Sequence, residues 1–197
     1  MLNKRDIADE KKSIDEKKYS SCNNIDFSDL DVPGVYCIRL KVPYKGKFSK
    51  KDNKFFKPFI RILEERKNNI LYIGIATKSL KQRLNQELKA KGHGTFFRSL
   101  GAILNYKPVE DSLVKTKREY NYKFSDKNEE KIINWINEYL IVKWIEKSDS
   151  LAKFERYLIE DKDYKPVVNI KNNPLALKEI KALRKECVDF ANKKCSS

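Results

Sequence analysis

Tyr36 and Tyr72 each lie in a short apolar run close to a glycine, in Gly34-Val35-Tyr36 and Tyr72-Ile73-Gly74. Arg83 follows nine residues after Gly74, and far downstream Glu155 stands among Leu151, Phe154, Leu158 and Ile159. A phenol, a guanidinium and a carboxylate can serve as proton acceptor, anion clamp and metal ligand, the groups that hydrolysis of a phosphodiester requires. Each also has an ordinary explanation. Strand tyrosines are common half-buried core residues. Arg83 can form a surface i,i+4 pair with Glu87, worth a few tenths of a kcal/mol. Glu155 can belong to a buried structural ion pair.

The elements that must position these groups are legible from periodicity. Pro33-Gly34 is a turn signal, and Val35 to Leu40 alternates as a strand, with Tyr36, Ile38 and Leu40 on one face. Ile70 to Ile75 is a second strand, with Leu71, Ile73 and Ile75 facing one way and Tyr72 and Gly74 the other. An antiparallel pairing of the two puts both phenols on one face, and the glycines permit close backbone approach. Ser79 and Gln82 form a capping box opening a helix with Leu80, Leu84 and Leu88 on one stripe, closed by Gly92. At about 100° per residue, Arg83 lies about 60° from that stripe, beside a helix N-terminus that favours anions. The same arithmetic puts Glu155 about 40° from Leu151, inside an apolar stripe where an ionised carboxylate needs a partner or a cation. Other expected elements are a helix from Thr95 to Leu104, a strand within Lys117 to Phe124, a helix capped by Asp126 and Glu129, and a strand from Leu140 to Ile145. Phe59 to Arg66 reads as a short helix, and Asn173-Pro174 as the cap of a long terminal helix.

The chain has 197 residues, 43 Lys+Arg against 28 Asp+Glu, and a formal net charge of +15. That length suits one domain with extensions, and the charge points to a polyanionic partner. The 40% hydrophobic content suffices for a core. The four cysteines are dispersed without a CxxC pair, and the single histidine makes a zinc site a poor fit. The N-terminus has no apolar signal region, and no run approaches a membrane span. A reduced, cytoplasmic setting is the expectation. Residues 1–31 read as a polar arm, 32–174 as the main domain with a basic insertion at 43–69, and 175–197 as a C-terminal helix packed on it.

The two tripeptides, the following arginine, the late glutamate and the closing Pro166-Val167-Val168-Asn169 resemble the GIY-YIG nuclease family in order and spacing. The resemblance spans about Pro33 to Pro174. It implies an α/β fold with a small mixed, mainly antiparallel central sheet flanked by helices. It also implies a metal-dependent endonuclease acting on nucleic acid, double-stranded DNA being the expected substrate. Tyr36, Tyr72, Arg83, Glu155 and Asn169 match the family's catalytic positions, with Gly74 between them. By resemblance Glu155 holds Mg2+ or Mn2+, Arg83 neutralises the scissile phosphate, one tyrosine handles or orients water, and Asn169 anchors the site.

Three departures stand out. The gap between the tripeptides is long. Ile75-Ala76 stand where a lysine often follows, leaving Lys78 the nearest cation. Glu87 stands where many members have His or Tyr, and His93 is the only histidine available to move toward the site. These departures keep a rival reading open, a non-catalytic nucleic-acid-binding protein on the same fold. In either case Lys45, Lys47, Lys50, Lys51, Lys54 and Lys57, or else Lys115, Lys117, Arg118 and Lys123, are the expected contacts to the nucleic-acid backbone.

Overall fold

The computed structural model describes residues 4–41, 50–115 and 120–193. A four-stranded sheet forms its centre, built from β1 (Ser20–Ser21), β2 (Gly34–Leu40), β3 (Ile70–Ala76) and a strand at Leu140–Glu146. That last strand is β6, since the short hairpin strands β4 (Val114–Lys115) and β5 (Tyr120–Asn121) precede it in the chain. The order is β1-β6-β2-β3, and every pairing is antiparallel. The two motif strands are therefore neighbours, and Tyr36 lies directly opposite Gly74.

Helices cover both faces. On one side, Tyr36, Ile38, Leu40 and Tyr72 pack with residues of α2 (Lys50–Glu65), α3 (Leu80–Leu88), α4 (Thr95–Ile103), α5 (Asp126–Tyr139) and α7 (Lys178–Ala191). On the other, Val35, Cys37 and Ile73 pack with α1 (Lys4–Glu16) and α6 (Leu151–Glu160). The strand alternation holds along β2 but breaks in β3. Ile38 pairs with Tyr72 and Arg39 with Ile70, so Leu71 is an extra residue in the ladder. The bulge turns Leu71 onto the Tyr72 face, away from Ile73, contrary to the simple period of two.

Four further expectations are corrected. The helix read as Phe59 to Arg66 begins at Lys50 and runs through Pro58. Phe56, Phe59 and Leu63 lie buried along one stripe. Burying each contributes about 1.5–3 kcal/mol, enough together to offset the roughly 3 kcal/mol cost of an interior proline. Helix α3 stops at Leu88, ahead of Gly92. Ser125, not Asp126, holds the cap position of α5. Asn173 does not cap α7, which starts at Lys178; its side chain instead ties a turn by donating to the carbonyls of Pro166 and Asn169. The polar segment 1–31 contributes α1 and β1, with Ile14 fully buried.

Strand β3 lies at the sheet's edge, and its outer side is closed by the segment after α6. The amides of Val167 and Val168 donate to the carbonyls of Ile70 and Leu71. Asn169 continues the ladder with its side chain, accepting from the Ile73 amide at 2.9 Å and donating to the Ile73 carbonyl at 2.8 Å. A buried carboxamide thus replaces a backbone unit and satisfies an otherwise open edge.

Candidate active site

Tyr36 is fully buried, and its hydroxyl sits above Gly74. A Cβ at position 74 would collide with that hydroxyl and would lie 2.8 Å from the Tyr72 ring. The glycine is therefore the space the phenol occupies. The Tyr36 hydroxyl donates to Glu87 Oε1 at 3.2 Å and accepts from Arg83 Nε at 3.3 Å. Burial, then the charge of Glu87, raises the Tyr36 phenol well above its ordinary value.

Glu87 is the residue whose environment the sequence conceals most. Its carboxylate is fully buried although it stands on a charged helix. Oε1 pairs with Arg83 Nη2 at 2.7 Å. Oε2 accepts from the amides of Phe96 at 2.8 Å and Phe97 at 3.4 Å. Those amides are orphan donors at the start of α4, whose cap residue Gly94 has no side chain to satisfy them. Glu87 caps the helix from outside, and a Cβ on Gly94 would lie 2.6 Å from its Oε2. The Arg83–Glu87 helix pair considered from the sequence as exposed thus has its carboxylate fully buried and its guanidinium half-buried.

Arg83 makes further use of its fork by donating from Nη1 to Gln86 at 3.3 Å. Three of its five N–H groups are committed to Tyr36, Gln86 and Glu87, and the guanidinium also hydrogen-bonds the Tyr72 hydroxyl. Burial disfavours its charge, but Tyr36, Glu87 and Tyr72 outweigh that and hold the guanidinium protonated. It borders a cavity of about 190 Å³ together with Lys78, Ser79, Gln82 and Gln86. The N-terminus of α3 offers that cavity less than its position suggests. The amides of Leu80 and Lys81 donate to Val32 and Leu30, and that of Gln82 to the Ser79 hydroxyl.

Tyr72 is 7% exposed and lines a second cavity of about 290 Å³ with Glu155 and Asn169. The Tyr36 and Tyr72 rings lie 6.2 Å apart. Burial and Glu87 raise the Tyr72 phenol, and Arg83 opposes them. Glu155 makes no hydrogen bond or ion pair among the described residues. Burial lifts its carboxyl from 4.5 to about 7, against the opposing charges of Lys171 and Arg83. No group of three or more His, Cys, Asp or Glu side chains converges among the described residues. An unpaired, half-buried carboxylate is nonetheless a donor set that suits a hard divalent ion completed by water and phosphate oxygens.

The structure therefore brings Tyr36, Arg83 and Glu87 into one hydrogen-bonded group over Gly74, and Tyr72, Glu155 and Asn169 around one cavity. His93 lies in the turn between α3 and α4 and borders neither cavity. Lys54, Lys57 and Lys123 are exposed and also border neither. Lys45, Lys47, Lys117 and Arg118 lie outside the described residues, as do the side chains of Lys50, Lys51 and Lys115. Sequence reasoning missed Lys171 and Arg184, which line the Glu155 cavity. Neither belongs to a short motif, and their proximity arises only from the turn after Asn169 and the docking of α7.

The antiparallel sheet and the helices on it thus present two buried phenols, an arginine and, on α6, a carboxylate without a salt bridge. The family model described as the GIY-YIG catalytic domain matches residues 34–186. The chain belongs to the GIY-YIG family, and its catalytic domain makes it an endonuclease-type hydrolase acting on phosphodiester bonds. No curated protein and no solved structure matches it. No helix among the described residues is long and apolar enough to cross a membrane.

Proposed function

We propose that the chain is a divalent-metal-dependent endonuclease that cuts double-stranded DNA in the cleft where β3, α6 and the turn after Asn169 meet. The observation that carries this reading is the convergence of Tyr72, Glu155 and Asn169 on one cavity, with Glu155 in no hydrogen bond or salt bridge among the described residues. Glu155 would hold the ion, Mg2+ or Mn2+. Once bound, the ion supplies neutralisation of phosphate charge and acidification of water.

The remaining roles fall to the chain's own side chains. Arg83, oriented by Glu87 and Tyr36, presents its guanidinium to phosphate oxygens. Tyr72 is the phenol that borders the Glu155 cavity, and its neutral hydroxyl orients the attacking water by accepting a hydrogen bond from it. Tyr36 has its proton committed to Glu87, and it positions Arg83. Asn169 fixes the cleft wall to β3. The net charge of +15 suits a polyanion of duplex charge density.

The test is nicking of supercoiled and linear duplex DNA with Mg2+ or Mn2+ and after chelation, for the native chain and for Glu155→Gln. The variant keeps size and loses charge, so cleavage should fall on the order of 100-fold or more while binding persists. Undiminished cleavage by Glu155→Gln would remove the metal assignment. Binding without cleavage by the native chain under all metals would favour the non-catalytic alternative, for which Glu87 at the usual His or Tyr position is the motive.

A further inference from the structure

The cavity that holds Glu155 is walled by two cations that belong to no motif, Lys171 and Arg184. They arrive from separate elements. Lys171 projects from a turn pinned at both ends. Asn169 bonds both backbone groups of Ile73, and Asn173 donates to the carbonyl of Asn169 at 2.8 Å and of Pro166 at 2.9 Å. Between them, Asn172 takes a left-handed conformation with φ 57°. Arg184 comes from α7, which is seated by the buried Ile180, Cys187 and Ala191. Neither cation forms a salt bridge among the described residues.

The charge balance of this space identifies its occupant. One carboxylate faces two cations, so the cavity is net positive even with Glu155 ionised, and more so with a divalent ion on Glu155. Such a site favours an anion. Arg83 and Lys78 border the other cavity, on α3 and the loop before it, and Arg83 reaches Tyr72 from there. Lys171 and Arg184 stand on other elements, the turn after Asn169 and α7, and line the Glu155 cavity without Arg83. On a nucleic-acid strand every nucleotide carries a phosphate, and successive phosphates are natural ligands for successive cation sites.

We infer that Lys171 and Arg184 form a second phosphate subsite, holding the phosphodiester adjacent to the scissile one on the strand being cut. The inference rests on the reading of Glu155 as the centre of cleavage. It gives α7 a direct part in substrate binding, and it gives the pinned turn after Asn169 a purpose beyond closing the edge of β3.

The test uses the full chain carrying Glu155→Gln, a fluorescent DNA duplex and a salt series. Lys171→Gln and Arg184→Gln should each lower the slope of log affinity against log salt by about 0.9. Arg184→Lys, which keeps the charge, should restore most of the slope. Circular dichroism melts confirm that each variant is folded, and Lys171→Gln, on the exposed turn, carries the test if Arg184→Gln is not. With the cleavage site mapped for the native chain, a methylphosphonate at the adjacent position should abolish the difference between the reference and the Arg184 variant. Unchanged slopes in the glutamine variants, or a loss that persists with the neutral linkage, overturn the subsite. Absence of any nucleic-acid binding or cleavage by the native chain overturns the nuclease reading itself, a result distinct from the other two.

Discussion

The two tyrosines look equivalent in the sequence and are unlike in the fold. Tyr36 is sealed beneath the space left by Gly74, with its hydroxyl engaged on both sides. Tyr72 borders the cavity of Glu155. Their phenylalanine variants should separate accordingly. Tyr72→Phe should lower the single-turnover cleavage rate by at least about tenfold and change the urea midpoint little, because it removes a hydroxyl at the reacting site. Tyr36→Phe should cost about 1–2 kcal/mol in urea unfolding, since it leaves Glu87 and Arg83 each short of a buried partner. Its effect on rate should follow from a less ordered Arg83. A Tyr72→Phe enzyme with native rate and pH profile would return the water-handling role to Tyr36.

At the scale of elements, one carboxylate joins three of them. Glu87 stands on α3, bonds the start of α4 and holds the phenol from β2. Glutamine cannot replace it, because its amide nitrogen must face either the α4 amides or the Arg83 and Tyr36 side, and both need an acceptor. Glu87→Gln is expected to destabilise by roughly 3 kcal/mol, within the range for breaking a buried pair while one charge remains. Urea unfolding of this variant beside the native chain measures it. A loss below about 0.5 kcal/mol would return Glu87 to the role of a surface pair.

For the whole molecule, the linkage between charge and stability centres on Glu155. Its carboxyl is raised by burial to about 7 in the folded protein, above the ordinary 4.5. The folded state therefore holds a proton that the unfolded chain releases between those values. The contribution is fully present below pH 4.5 and is lost as pH rises toward 7. Relative to Glu155→Gln, the metal-free native chain should lose up to about 3 kcal/mol across that window. The two proteins' urea midpoints, compared in chelator from pH 4 to 8, read the difference, and the other carboxylates cancel between them. A constant difference would show that Glu155 is already paired. The burial that raises this carboxyl also makes a bound cation favourable there.

The strands carrying Tyr36 and Tyr72, the Ser79 cap and the apolar stripe around Glu155 were all legible, because hydrophobic period and capping chemistry act over a few neighbouring residues. The order of the motif residues was enough to mark the family. The path of α2 through Pro58 and the bulge at Leu71 were not legible, since burial and cross-strand register overrode the local signals. The fate of Glu87 was hidden for a related reason. Its partners are the amides of Phe96 and Phe97, and an orphan backbone donor has no letter in the sequence. Lys171 and Arg184 look like ordinary members of a lysine-rich chain. Only the turn after Asn169 and the seat of α7 set them beside Glu155, because charge acts through distance in space, which the tertiary structure alone decides.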